Sequence, residues 1–412
     1  MTESTIGPRL WLPIALGGIS STALAYFLWR RKHGGSKGFH LEDIVRPPIR
    51  KAAPYHFPPR YEYKDPVLLD ANENPFGPPH GGKDPSLAKL QLERYPDPAQ
   101  TDLKAAVSKL RGVPTDQILF GVGSDEVIDL LIRVFCEPSR DSILVCPPTY
   151  AMYRCFADLH DVRTVEVPRT SDYCVQPQAV SSALTSRTKV VFLCSPGNPS
   201  SVLIDRAAII EILEAAQRQP ALVVVDEAYI DFAQAADSSI VPLLQDPKYP
   251  NLAVMQTFSK AWGMAGARLG MLFASSDLIS IMNKVKAPFN ISTLVEDAAL
   301  QALKHADVVK DRVGKILDER ERVATALQTQ EMKGLGIQEV KRSDANFLLV
   351  KMQNAKAVST RMGDDSNVTV RYRGGMLHCK DCIRITIGTK AENDAMLKAL
   401  AAALRKNQPP SQ

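Results

Sequence analysis

Short apolar runs alternate with amphipathic stretches from about residue 101 onward. The runs, rich in Val, Ile, Leu or Phe, fall at 118–123, 142–148, 190–196, 222–229 and 252–259. Between them, stretches such as 125–135 and 207–219 repeat apolar residues at helical spacing. Buried strands that alternate with helices are typical of a mostly parallel sheet covered on both faces. The pattern predicts an α/β fold in which a large domain, residues 99–305, surrounds such a sheet.

A second, smaller α+β domain is predicted for residues 306–405. A long helical segment begins after about residue 294, and two further strand candidates follow it at 345–352 and 382–389. Proline is dense between residues 38 and 98, and at that density it interrupts helices and central strands. We therefore expect this segment to form an extended arm and to contribute to the small domain.

The N-terminal extension, residues 1–37, contains a candidate membrane anchor. Residues 10–29 carry no charge, and Arg30, Arg31 and Lys32 follow at once. About 20 apolar residues suffice for a helix to cross a bilayer, and a basic flank tends to stay on the cytoplasmic side. Membrane contact through 10–29, with a cytoplasmic remainder, is one interpretation, and a disordered extension is the other.

Composition and charge exclude several classes of protein. The chain has 412 residues, 45% hydrophobic and 23% charged, as a folded globular protein does. Of the net charge of +5, the first 37 residues carry +4 and the rest carry +1, so no nucleic-acid surface is expected. Among seven cysteines, only Cys379 and Cys382 form a CxxC pair. No second pair completes a metal site, and we expect reduced thiols and no metal.

Candidate chemistry lies where the apolar runs end, because ligands of parallel α/β sheets gather at the carboxyl ends of the strands. Lys260 lies in a loop of small residues beside Trp262 and Met264. A desolvated lysine becomes an amine nucleophile, as a Schiff base requires, although a solvated loop lysine is the alternative. Asp226 follows three valines, and a buried carboxylate there could pair with a pyridinium nitrogen. A helix N-cap or a salt bridge is its other interpretation.

A phosphate site is predicted at the start of the helix that follows residues 118–123. Gly123, Ser124 and Asp125 offer backbone N–H groups, and Ser259 and Arg268 add a hydroxyl and a guanidinium from the lysine loop. Ser124 as a plain N-cap is the alternative. Together with Lys260, Asp226 and Asn198, these residues would bind pyridoxal 5′-phosphate at both ends.

The same segments together resemble the pyridoxal-phosphate-dependent aminotransferases of fold type I, and within them the histidinol-phosphate aminotransferase branch. The resemblance covers about residues 60 to 405. The matching stretches are LDANENPFGP (69–78), RYPDP (94–98), GVGSDEVIDLLIRVF (121–135), PPTYAMY (147–153), SPGNPS (195–200), VVVDEAYIDF (223–232), TFSKAWGMAGARLG (257–270), DANFLLVK (344–351) and CIRITIGT (382–389).

The resemblance implies roles around the cofactor ring. Lys260 would form the Schiff base with pyridoxal phosphate, and Asp226 would pair with the ring nitrogen. Asn198 and Tyr229 would hydrogen-bond the phenolic oxygen of the ring, and Tyr150 would stack on its face. Lys260, Asp226 and Tyr229 would thus be the catalytic residues.

Further roles follow for the phosphate and the substrates. Ser124, Asp125 through its backbone N–H, Ser259 and Arg268 would hold the cofactor phosphate. Tyr95 would reach the phosphate of the partner subunit, which implies a homodimer.

Arg384 would bind the α-carboxylate of glutamate or 2-oxoglutarate, a bidentate match of guanidinium to carboxylate. Arg371 would bind the substrate phosphate or the distal carboxylate, and Asn72 would also contact substrate. A surface cation is the alternative for either arginine.

The implied reaction is ping-pong transamination between glutamate and imidazole-acetol phosphate in histidine biosynthesis. A phosphothreonine-type decarboxylase and an aromatic-amino-acid aminotransferase remain as alternatives within the fold, and a membrane-tethered scaffold without catalysis remains outside it. One departure concerns Ser200 and Ser201, where the family commonly has Thr-Gly after the proline. The loss of this glycine is expected to alter the turn without removing Asn198.

Overall fold

The computed structural model describes residues 96–219 and 221–406, and also the backbone of residues 67–68. The candidate anchor at 10–29, Asn72 and Tyr95 lie outside the described residues. Within the described part of the chain, none of the helices combines the length and the apolar character needed to cross a bilayer.

Thirteen strands and eleven α-helices are found in the described part of the chain. The strands are β1 (Val67–Leu68), β2 (Ile118–Val122), β3 (Ser142–Val145), β4 (Arg163–Glu166), β5 (Thr188–Cys194), β6 (Leu222–Asp226), β7 (Leu252–Thr257), β8 (Leu269–Ala274), β9 (Ile337–Val340), β10 (Phe347–Met352), β11 (Val368–Thr369), β12 (Arg371–Tyr372) and β13 (Cys382–Thr386). The helices are α1 (Thr101–Arg111), α2 (Gly123–Phe135), α3 (Met152–Leu159), α4 (Pro177–Ala183), α5 (Arg206–Arg218), α6 (Ser276–Val285), α7 (Thr293–Leu303), α8 (Ala306–Leu327), α9 (Gln330–Leu335), α10 (Ala355–Ser366) and α11 (Lys390–Arg405).

The central sheet has seven strands in the order β2-β8-β7-β6-β5-β3-β4. Strands β4, β3, β5, β6 and β7 pair in parallel, whereas β8 runs antiparallel to both of its neighbours. Because β8 separates β7 from β2 and opposes both, β2 points the same way as the parallel strands. The carboxyl ends of β2, β5, β6 and β7 therefore lie at one edge of the sheet, and the predicted mostly parallel α/β sheet is confirmed.

Both faces of this sheet are buried. On β5 and β6, Val191, Val223 and Val225 pack into one hydrophobic cluster, whereas Val190 and Val224 pack into a second cluster on the opposite face. Successive side chains of a strand point to opposite faces, so a continuous run of branched apolar residues fills both clusters. This double burial explains why the strands read as unbroken apolar runs in the sequence.

A second sheet of four strands, in the order β12-β13-β10-β9, is built from the C-terminal part of the chain. All its pairings are antiparallel. Helix α11 begins with a capping box in which Thr389 and Glu392 exchange hydrogen bonds. Separately, β1 pairs in parallel with β11, which joins one described piece of the proline-rich segment to the C-terminal part. The domain boundary near residue 305 stays a prediction.

Two strands of the large sheet are missing from the sequence-based prediction. Strand β4 lies at the sheet edge and carries the exposed Arg163 and Glu166, so it shows no apolar run. Strand β8 follows directly on the Lys260 loop, which the sequence pattern extends to residue 270. Its six residues are all buried, and its antiparallel direction departs from the strand–helix alternation on which the prediction rests.

Candidate active site

Four polar segments meet at the carboxyl edge of the large sheet. Asp226 is the last residue of β6, and the turn with Asn198 follows β5. Lys260 lies three residues beyond β7, and Ser124 lies in the first turn of α2, directly after β2. The structure therefore places the predicted residues of all four segments at one edge, as the strand directions require.

Asp226 is almost fully buried, with 4% of its surface exposed. One carboxylate oxygen accepts a hydrogen bond of 2.5 Å from the Tyr153 hydroxyl, and the other accepts one of 3.1 Å from the Ala228 amide. Burial raises the pKa of Asp226 to about 6, although both hydrogen bonds and the charge of Lys260 lower it. A cationic partner would therefore stabilise the ionised form of this buried carboxylate.

Tyr153 is a residue of the candidate site that the sequence reasoning missed. It lies on α3, is fully buried, and stacks on Phe192 of β5 with a ring distance of 4.7 Å. A buried tyrosine hydroxyl needs a polar partner, and here that partner is Asp226. A tyrosine within the matching stretch PPTYAMY was the available signal, but only Tyr150 was singled out there.

A chain of contacts joins Tyr229, Asn198 and Arg384. The Asn198 amide nitrogen lies 3.2 Å from the Tyr229 hydroxyl, and its carbonyl oxygen accepts a 2.7 Å hydrogen bond from Arg384. All three residues are at most 7% exposed. The Arg384 guanidinium lies 5.2 Å from the ring centre of Phe347, which holds its plane in place. The Nζ of Lys260 lies 5.8 Å from the ring centre of Tyr229.

The two candidate substrate arginines are neighbours in the small sheet. Arg371 of β12 is paired directly with Arg384 of β13 in an antiparallel register. Directly opposed residues of antiparallel strands project from the same face. Arg371 is half-buried and Arg384 is buried, so two cationic side chains share one face beside Asn198.

An anion cradle forms at the start of α2. An α-helix leaves its first N–H groups without intrahelical partners, and the Ser124 hydroxyl is buried without a hydrogen-bond partner among the described residues. Arg268 reaches this helix end and lies 3.3 Å from the Asp125 carboxylate, which also accepts a 2.9 Å hydrogen bond from Tyr150. Ser259, the fourth predicted phosphate ligand, is buried nearby on the lysine loop and contacts Thr257.

Two glycines allow the cradle to close. A Cβ atom on Gly123 would lie 2.5 Å from the Arg268 guanidinium, and one on Gly270 would lie 2.4 Å from the Ser124 amide nitrogen. The contact at Gly270 is with backbone, so the close approach of β8 to the helix end requires glycine there. Gly123 would meet only the movable end of the Arg268 side chain, and it favours glycine because its φ is +73°.

This donor set fits pyridoxal phosphate. The cradle provides helix N–H groups, hydroxyls and a guanidinium for a phosphate. Asp226 provides a buried carboxylate for a protonated ring nitrogen, and Asn198 with Tyr229 provides polar groups for the phenolic oxygen. The unpartnered Ser124 hydroxyl is the observation that most directly indicates a ligand, because buried polar atoms are rarely left without one.

Comparisons with known proteins agree with this chemistry. The family model described as "Aminotransferase class I and II" matches residues 64–400. A histidinol-phosphate aminotransferase from Cytophaga hutchinsonii is 43% identical over 365 residues, which cover 88% of this chain and 99% of that protein. The histidinol-phosphate aminotransferase of Saccharomyces cerevisiae is 38% identical over 392 residues, covering 89% of this chain and 98% of that protein.

A solved structure shares the fold. The crystal structure of histidinol-phosphate aminotransferase from Sinorhizobium meliloti in complex with pyridoxal-5′-phosphate matches with a TM-score of 0.76 and 26% sequence identity. The match covers 88% of this chain and 98% of that one. The neighbour therefore carries, on the same architecture, the cofactor that the donor set here fits.

Proposed function

This chain belongs to the class I and II aminotransferase family, and we propose that within it the chain acts as a histidinol-phosphate aminotransferase. It would exchange an amino group between L-glutamate and imidazole-acetol phosphate, giving 2-oxoglutarate and L-histidinol phosphate in histidine biosynthesis. The linkage of Asn198 to both Tyr229 and Arg384 carries the proposal, because it joins the ring site to a buried cation for the substrate. The relatives with this name, similar over nearly their whole length, support the substrate.

The residues of the carboxyl edge would hold the cofactor. Pyridoxal phosphate, when bound, supplies an aldehyde that captures the substrate amine and a ring that withdraws electrons from the α-carbon. Ser124, the Asp125 amide, Ser259 and Arg268 would hold its phosphate. Asp226 would keep the ring nitrogen protonated, since an ionised carboxylate in a buried site stabilises a neighbouring cation.

Lys260 would move the proton. Its amine would hold the aldehyde of the cofactor in the resting enzyme and would be available as a base during turnover. Lys260 would then take the proton from the α-carbon as a general base and return a proton as a general acid. In the same loop, Trp262 and Met264 are buried, whereas Lys260 is partly exposed.

The two arginines would select the substrates. Arg384 offers two parallel N–H groups that match a carboxylate, and Asn198 fixes its orientation. Arg371, on the same face, would bind the distal carboxylate of glutamate or the phosphate of histidinol phosphate, which is attached to the carbon next to the amine-bearing carbon. One pair of cations would thus serve both half-reactions.

We also propose a homodimer, as the family resemblance implies through Tyr95. Val122 and Phe289 are 39% and 38% exposed, and they flank the contact in which Asn290 donates to Glu126. Large apolar side chains exposed beside the anion cradle are suited to cover by a second copy.

A steady-state assay with L-histidinol phosphate and 2-oxoglutarate tests the function. We expect equimolar glutamate formation and no release of carbon dioxide. Carbon dioxide release from O-phospho-L-threonine, supplied in a parallel assay because histidinol phosphate has no carboxyl group to lose, would instead support the decarboxylase, and a higher kcat/KM for phenylalanine would support the aromatic aminotransferase. Bound cofactor with no turnover of any of these amino donors would support the scaffold.

A further inference from the structure

Three hydrogen bonds tie the turn after β5 to the loop before β10. The Asp344 amide donates to the Ser201 carbonyl at 2.7 Å, and the Asp344 carboxylate accepts from the Leu203 amide at 3.0 Å. The Ser201 hydroxyl lies 3.0 Å from the Arg342 carbonyl and 2.6 Å from the Ser200 carbonyl, which share its single proton. We call this contact between 201–203 and 342–344 the turn clamp.

The clamp joins the segment that carries Asn198 to the loop before β10, the strand that pairs with the Arg384 strand. Asn198 precedes the clamped turn by three residues, and residue 344 leads directly into β10, which pairs with the Arg384 strand. Asn198 and Arg384 are themselves in contact at 2.7 Å. The contact between these two functional residues is therefore part of a closed ring of interactions whose other side is the clamp.

Ser201 adopts an unfavourable backbone conformation in this clamp. Its φ is +61°, in the left-handed region that favours glycine, and the side chain is fully buried. The backbone conformation is less favourable for serine than for glycine. What serine offers and glycine lacks is the hydroxyl contact with the loop before β10. A glycine would adopt this positive φ freely, and the expected change of the turn at Ser200 and Ser201 stays a prediction.

We propose that Asp344, with Ser201, is a positioning residue that fixes Asn198 against Arg384 and so aims the guanidinium at the substrate α-carboxylate. Asp344 contacts the turn twice, once through its amide and once through its carboxylate. Its side chain is 13% exposed. That Arg384 binds the substrate α-carboxylate rests on the proposed function, whereas the turn clamp rests on the contacts described above.

The test compares Asp344→Ala with Arg342→Ala. The first removes the acceptor of the Leu203 amide, whereas the second removes only the partner of the Asp344 carboxylate, a side chain that is 74% exposed. We expect Asp344→Ala to raise the KM for glutamate about five- to tenfold, the equivalent of one lost buried hydrogen bond, with kcat changed less than about twofold. Arg342→Ala should match the wild type, and Asp344→Asn, which keeps an oxygen acceptor, should restore most of the KM.

Hydrogen exchange of the cofactor-free protein is the second measurement. In Asp344→Ala, amides of 201–204 should exchange faster, while those of the buried strand β6 keep their protection. An unchanged KM in a folded Asp344→Ala protein, an equal rise in Arg342→Ala, or unchanged exchange at 201–204 would each overturn the proposal. If wild-type protein does not react with glutamate, the proposed function has failed, and the exchange result still decides whether the clamp exists.

Ser201→Gly carries the test if Asp344→Ala does not fold. Relief of the positive φ alone would leave stability equal or higher. A role for the hydroxyl predicts instead a rise of about threefold in the KM for glutamate, a fraction of one hydrogen bond, without loss of thermal stability. A wild-type KM in this variant would then refute the proposal.

Discussion

The Tyr153 hydroxyl donates a 2.5 Å hydrogen bond to the Asp226 carboxylate, and both groups are buried beneath the candidate cofactor site. The bond stabilises the ionised carboxylate and so opposes the effect of burial, which raises the pKa of Asp226 to about 6. Tyr153 therefore lowers the pH above which Asp226 can serve as the counter-charge of a ring cation.

Removal of the Tyr153 hydroxyl should shift a pH dependence upward. Asp226 is neutral below about pH 6 and ionised above it, so affinity for pyridoxal phosphate should rise as the pH increases through that value. In Tyr153→Phe the ionised form loses a donor, the pKa of Asp226 rises, and the inflection should move up by about 0.7 pH unit. Cofactor titrations between pH 5 and 8 measure it. Asp226→Asn is the control, because the cofactor phosphate still titrates in it but the inflection due to Asp226 should be absent. An unchanged midpoint of the pH dependence in Tyr153→Phe would contradict the proposed role of Tyr153.

Replacement of Lys260 should abolish covalent attachment. Lys260→Ala should purify without the visible absorbance of bound cofactor and gain no mass after borohydride treatment, because no amine remains to join the aldehyde. Turnover should fall below detection while the circular dichroism spectrum stays unchanged. Lys248→Ala is the control, because Lys248 also lies over a tyrosine ring, at 5.3 Å, but on the surface. Retained activity in Lys260→Ala would refute the assignment.

Arg384→Lys should weaken the binding of every amino donor that has an α-carboxylate. An ammonium cannot make two parallel hydrogen bonds, and we expect the KM for glutamate to rise about tenfold. Arg371→Lys should weaken the binding of glutamate and of histidinol phosphate. It should not affect the slow single-turnover reaction with L-alanine, which has no distal group. The two variants are compared by stopped-flow absorbance. Equal losses with alanine in both variants would show that the roles are not separate.

Gly270→Ala should lower cofactor affinity. The new methyl group would lie 2.4 Å from the Ser124 amide and would push the helix end out of place, at a cost of about 1–3 kcal/mol. Gly266→Ala, in the segment just before β8, is the matched control, because nothing lies within 4 Å of its Cβ position. The dissociation constant of pyridoxal phosphate and the melting temperature should change in the first variant only. Equal behaviour of the two variants would contradict the close approach.

Phe289→Asp should disrupt the proposed dimer. A charge in the centre of an apolar contact is costly to bury, and aspartate tolerates the positive φ of +59° found at this position. Light scattering during gel filtration should give the mass of two chains for the wild type and of one for the variant. Leu377→Asp, at another exposed apolar residue, serves as the control. A monomeric wild type would contradict the homodimer.

The sequence predicted the large sheet because its strands are buried on both faces. The run that ends at Asp226 contains nothing but apolar residues before the carboxylate, which marks both a central strand and the chemistry at its end. Lys260, Asn198 and Ser124 were found in the same way, as polar residues at strand ends. Local pattern suffices for such residues, because parallel strands bring their carboxyl ends to one edge.

Other features depend on partners distant in the chain, and no local pattern encodes them. Tyr153 and Asp226 are 73 positions apart, and Arg384 lies 186 positions from Asn198. The in-register pairing of Arg371 with Arg384, the clamp by Asp344 and the direction of β8 all arise from how the strands pair. The sequence by itself determined strands β2, β3, β5, β6 and β7 of the large sheet and the candidate polar residues at the ends of several of them, because these follow from burial and residue type. Only the tertiary structure decided which polar groups touch and what pKa they acquire, because hydrogen bonding and desolvation depend on distances that folding alone sets.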